Sequence, residues 1–113
     1  MSATPPESGK TVVFAYAVAK EGKADELQKM LAEARRSAES DKEPYTLTYR
    51  TSRHGNTFAM FEEYDQDIEH EGKKGIEAHK AQPPFQALIK SGLVESVDIK
   101  CYQEFKAEDK AKF

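Results

Sequence analysis

Residues Phe61 to Leu88, FEEYDQDIEHEGKKGIEAHKAQPPFQAL, carry the chain from an apolar alternating run, through a polar stretch, into a helical pair broken at Pro83-Pro84. The run that ends at Tyr64 has period two and reads as a strand over Thr57 to Tyr64. Asp65 to Gly75 is charged and lacks apolar periodicity apart from Ile68, so it reads as a loop or weak helix, open to motion and able to bend at Gly72 and Gly75. Ile76 to Ala81 suits a short helical turn. Pro83-Pro84 suits the start of a second helix, and Gly92 is a natural stop after Phe85, Leu88 and Ile89. The junction holds the densest set of candidate site residues in the chain: Glu62, Tyr64, His70, His79 and Phe85.

On the N-terminal side, Arg53-His54-Gly55-Asn56 is a reasonable hairpin connection, with Gly55 and Asn56 able to take positive φ and His54 an exposed turn residue. It joins the third strand to a second in which Tyr45, Leu47, Tyr49 and Thr51 alternate with Thr46, Thr48 and Arg50. Before that, Leu27, Met30, Leu31, Ala34 and Ala38 recur at helical spacing after the Gly22 turn, predicting a helix over Ala24 to Glu39 with Asp25 and Glu26 at its positive end. The first strand starts at Thr11. Its large residues Val12, Phe14, Tyr16 and Val18 alternate with Val13, Ala15, Ala17 and Ala19, so it is apolar on both faces and belongs in the middle of a covered sheet. On the C-terminal side, Leu93 to Phe105 alternates again, with Val97, Ile99 and Cys101 on one face and Asp98, Lys100 and Tyr102 on the other.

The order strand, helix, strand, strand, helices, strand predicts an α+β fold: a ferredoxin-like βαββαβ unit with a four-stranded antiparallel sheet and helices on one face. The opposite sheet face also carries apolar residues. Packing two such sheets together as a homodimer, a dimeric α/β barrel, would cover it. The domain is expected over residues 11–105, between a disordered N-terminal tail (1–10) and a charged C-terminal tail (106–113).

A chain of 113 residues is one domain, with 38% apolar and 33% charged residues and a small core that a partner subunit would help to bury. The net charge of −3 and pI near 5.6, with lysines interleaved among acids, argue against nucleic acid. A single cysteine, Cys101, cannot form an internal disulfide and reads as an inert core thiol, which favours the cytoplasm. The apolar run Val12 to Ala19 is too short to span a membrane, and its flanks are wrong for a signal peptide. His70 stands between Glu69 and Glu71 with no second histidine at ligand spacing, so no metal site is expected.

Three features make the sequence resemble the antibiotic-biosynthesis monooxygenase family. They are the strand followed by the Gly22-Lys23 turn and helix, the run Phe58-Ala59-Met60-Phe61-Glu62-Glu63-Tyr64, and the segment Glu77-Ala78-His79-Lys80-Ala81-Gln82-Pro83-Pro84-Phe85. The family's motif places an acid at Glu62, an aromatic at Tyr64, a histidine at His79 and a phenylalanine at Phe85. A second histidine found in many relatives is replaced here, where Gln82 and Pro84 stand. In the haem-degrading branch of the same fold, an Asn and a Trp would fall at about Ala15 and His79, which disfavours haem degradation.

The resemblance implies a dimeric barrel with one pocket per subunit. Its reaction would be the oxidation of a small quinol- or polyphenol-type aromatic by O₂ without metal, flavin or other cofactor. His79 would then be the catalytic base, with Tyr16, Tyr49, Arg50, Phe61, Glu62 and Phe85 binding the substrate. Two further readings fit the same barrel: a polyketide-type cyclase or isomerase, and a non-catalytic dimer that binds a small ligand or serves in stress response. For single residues there are plainer alternatives. His79 could dock the short helix onto the sheet, and Glu62 could pair with a lysine or arginine across the dimer.

Overall fold

The structure is a computed structural model and describes residues 5–110. It contains β1 (Lys10–Ala19), α1 (Ala24–Ala38), β2 (Thr46–His54), β3 (Thr57–Asp65), β4 (Glu69–His70), β5 (Lys73–Lys74), α2 (Gly75–Lys80), α3 (Pro83–Lys90) and β6 (Val94–Tyr102). Four strands form an antiparallel sheet in the order β2-β3-β1-β6. With β4 and β5 set aside as an insertion, this is the βαββαβ order and antiparallel sheet expected from the sequence.

Strand β1 lies inside the sheet, as its two apolar faces require. The two faces are unequal. Val13, Ala15, Ala17 and Ala19 are buried on the helix side, whereas Phe14 and Tyr16 lie on the other side, 36% and 49% exposed. The helices therefore cover the small residues of the alternation. Helix α1 lays Leu27, Leu31, Ala34 and Ala38 on the sheet. Its ends are charged to complement the helix dipole, with Asp25 and Glu26 in the first turn and Arg35 and Arg36 in the last. Arg35 also donates to Thr51 Oγ1 at 3.1 Å, tying the end of α1 to β2.

The segment 65–75 departs from the expected loop or weak helix. Glu69–His70 pairs with Lys73–Lys74 in a small hairpin, turning through Glu71 (φ 51°) and Gly72 (φ 80°). Two successive residues at positive φ make the tight turn that suits paired strands. The strands are too short for side-chain alternation to have revealed them.

Beyond the hairpin, Gln66 fixes where α2 begins. Its Oε1 accepts the Ile76 N–H at 3.0 Å, while its Nε2 donates to the Pro6 carbonyl at 3.0 Å. Gly75 permits this approach: its φ is +40°, and a Cβ there would lie 1.9 Å from Gln66 Oε1. The backbone N–H of Gln66 also donates to the Gly9 carbonyl at 2.7 Å, so the residues just before β1 run beside this junction. Residues 1–4 and 111–113, the outer parts of the expected tails, lie outside the described residues. Among those described, no helix is long and apolar enough to cross a membrane.

Candidate active site

A cavity of about 330 Å³ lies between the inner face of the sheet and the helices. The small residues of β1 make the room, since Ala15 and Ala17 form part of its floor. Leu27 and Leu31 of α1 and Met60 of β3 continue an apolar lining. Ile89 of α3 and Val97 of β6 also line it, yet are 62% and 51% exposed, which sets the mouth between α3 and the edge strand β6.

Polar groups are gathered on part of this wall. Strand register puts Val13, Glu62 and Tyr49 in one row across β1, β3 and β2, all three bordering the cavity. Glu62 is 6% exposed and its Oε1 accepts the Tyr64 hydroxyl at 2.6 Å. Within the chain, Glu62 is turned inward by β3 and its partner is a tyrosine of the same strand. Burial pushes the Glu62 carboxyl up from the usual range, and the Tyr64 hydrogen bond opposes part of that rise. Burial also pushes the Tyr49 and Tyr64 phenols well up, reinforced by the charge of Glu62, so both are held as neutral hydroxyls.

His79 on α2 is 2% exposed and packs among aromatic rings, with centroids at 5.3 Å to Tyr49, 5.4 Å to Tyr64 and 5.3 Å to Phe85. Its Nδ1 lies 2.6 Å from Glu43 Oε1. Glu43 is 1% exposed, and its other oxygen accepts the Ser37 hydroxyl. Among the described residues, His79 Nε2 is buried with no hydrogen-bond partner. A polar atom left so costs about 1–3 kcal/mol.

Of the residues singled out from sequence, His79, Glu62, Tyr49 and Phe85 share this cavity. Tyr16, Arg50 and Phe61 do not. Side chains alternate across a strand, and these three fall on the outward parity, where Arg50 stands opposite Phe61 and Phe61 opposite Phe14. The sheet itself separates them from the cavity. His70 sits on the hairpin, with Nε2 3.3 Å from Glu71. Cys101 faces inward opposite Val13, and burial pushes its thiol up, which makes it a poor nucleophile. Among the described residues no three His, Cys, Asp or Glu side chains group so as to hold a metal ion. Sequence reading missed Glu43, which lies in the charged run Ser40-Asp41-Lys42-Glu43-Pro44 with no periodicity to mark it.

No family model and no curated protein matches the sequence. Solved structures do. PA3566 from Pseudomonas aeruginosa superposes with a TM-score of 0.71 at 20% identity, covering 89% of this chain and 99% of that one. A protein from Deinococcus radiodurans, described as a "putative antibiotic biosynthesis monooxygenase", gives 0.65 at 20% identity, covering 90% and 99%. Another so described, from Bacteroides thetaiotaomicron, gives 0.70 at 16% identity, covering 92% and 97%. The chain has the fold of these structures. At these identities the likeness carries the ferredoxin-like architecture over nearly the whole of each chain, and the chemistry has to be argued from the cavity.

Proposed function

We propose that this chain is a cytoplasmic, homodimeric monooxygenase that oxidises a small quinol- or polyphenol-type aromatic with O₂, the substrate itself supplying the electrons. The observation that carries the reading is an apolar cavity, at the small end of the range for ligand pockets, whose lining brings His79 together with Tyr49 and Glu62. That volume suits one or two fused rings. The likeness to structures described as antibiotic biosynthesis monooxygenases supports the same reading.

The chemistry asks little of the protein. A base takes a proton from the activated substrate, and the resulting carbanion or phenolate passes an electron to O₂. The radical pair joins at carbon, and the peroxide loses water to leave a carbonyl. The balance for a methylene carbon is CH₂ + O₂ → C=O + H₂O. His79 Nε2 accepts the first proton, and imidazole suits that role near neutrality. The Tyr49 hydroxyl donates to the oxygen on which negative charge develops. The apolar lining keeps water from the carbanion. The proton that His79 took returns to the peroxide anion, and the hydroperoxide then loses water, which leaves the base as it began.

An oxygen electrode tests this with metal-stripped protein and a panel of quinols and polyphenols. Uptake above the uncatalysed rate is expected with at least one of them, and His79→Gln should lower it by about 10²–10⁴-fold. Glutamine is the better control here than alanine, because it can still donate to Glu43 and so spares a buried carboxylate the loss of a partner. No uptake above background across the panel would overturn the proposal for those substrates.

A further inference from the structure

We propose that Glu43 is the positioning residue of this site, holding His79 in the tautomer that carries its proton on Nδ1 and leaves Nε2 free to accept one. The inference rests on the reading of His79 as the base, and three observations carry it.

The first is distance: Glu43 Oε1 and His79 Nδ1 are 2.6 Å apart, with both side chains essentially inaccessible to solvent. The second is the state of the carboxylate. Its other oxygen accepts the Ser37 hydroxyl, so both oxygens of Glu43 are engaged and the carboxylate is held in place. An acceptor on the Nδ1 side places the ring hydrogen there, since neutral imidazole has one donor and one acceptor nitrogen. The third is the location of the pair. Glu43 comes from the connection between α1 and β2, Ser37 from the last turn of α1, and His79 from α2. The contact therefore clamps the helix bearing the base to a separate element, and burial of Glu43 against Ser37 fixes the clamp.

This arrangement serves a base better than a dock. A histidine used only to attach α2 would be expected to satisfy both nitrogens, whereas here one is tightly bound and the other has no partner. Orientation by a buried carboxylate is a general way of fixing an imidazole's tautomer and ring angle. Glu43 touches neither the cavity's floor nor its mouth, so its contribution passes through His79.

The test combines a spectrum with kinetics. Long-range ¹H–¹⁵N correlations of ¹⁵N-histidine-labelled protein resolve the three imidazoles, and His79→Gln assigns the signal of residue 79. The expected pattern for His79 near neutral pH is a protonated Nδ1 and a bare Nε2. Glu43→Gln, whose amide can either accept or donate, should give a mixture of tautomers. On a substrate that supports oxygen uptake, the same variant should lower kcat by about 10-fold or more with KM little changed. Ser37→Ala, which keeps the Glu43 carboxylate but removes its second hydrogen bond, should fall between wild type and Glu43→Gln. An Nε2-protonated or doubly protonated His79 in the wild type would overturn the proposal, as would full kcat in a folded Glu43→Gln. The spectrum needs no substrate. Failure of the oxygen assay alone would therefore sink the reaction and leave the positioning of His79 to be judged on its own.

Discussion

At the scale of residues, the site depends on polar groups that burial has made expensive. Glu62 shows this in a measurable way. Its folded-state carboxyl is raised above the value near 4.3 of an unfolded glutamate, with burial the main cause. The folded protein therefore holds this proton more tightly than the unfolded chain does. As pH rises from the unfolded value to the folded one, the native state loses stability relative to the unfolded state, and above the folded value the loss is constant. Glu62→Gln keeps an acceptor for Tyr64 and cannot ionise. Its melting temperature should exceed wild type by a margin that widens with pH through that window and then levels. Thermal melts of both proteins between pH 4 and 8 measure it, and a margin independent of pH would contradict the assignment.

Residues also mark what sequence alone could reveal. His79 and Glu62 are named from motif, and only the register of the folded sheet puts Tyr49 beside Glu62. Tyr16, Phe61 and Arg50 went astray for a simple physical reason: alternation divides a strand into two faces without saying which one receives the helices. Glu43 left no local trace, because a carboxylate that turns inward has the same neighbours in sequence as one that stays in water. Its burial follows from a partner 36 residues away.

Among the elements, α2 is the one on which the site turns, and it is only six residues long. A helix so short has little stability of its own and is held by what it touches. Gln66 supplies the hydrogen bond to its first turn, and Gly75 lets Gln66 come close. Gly75→Ala should cost about 1–3 kcal/mol, from a strained φ and a displaced Gln66. Gly72→Ala, where a Cβ meets open space, bears the backbone strain alone and should cost less. Chemical denaturation of the two variants ranks them, and an equal loss would show that Gln66 does not fix α2. The long elements were readable because α1, β1 and β3 have clear apolar periods. The hairpin of β4 and β5 was not, since two-residue strands paired through their backbones leave no side-chain pattern.

For the whole molecule, the sheet's outer face is the feature left open. Phe14 packs edge-on against Phe61 and Tyr102, with ring centroids 5.3 Å apart in each case. Phe14, Tyr16 and Tyr102 are 36%, 49% and 47% exposed on one surface of the subunit. An aromatic patch of this kind is stable in water when another apolar surface covers it, which supports the homodimer proposed above. Sedimentation equilibrium should give twice the 12.7 kDa of the chain, and Phe14→Lys should return it to that mass. A 12.7 kDa species at all concentrations would contradict self-association.

The reaction is tested most directly by following the fate of oxygen. With ¹⁸O₂ and a substrate that supports uptake, mass spectrometry of product and water should find one labelled atom in the new carbonyl and the other in water, at a rate unchanged by a metal chelator. Product without label, with both oxygen atoms recovered in hydrogen peroxide, would contradict monooxygenation in this cavity.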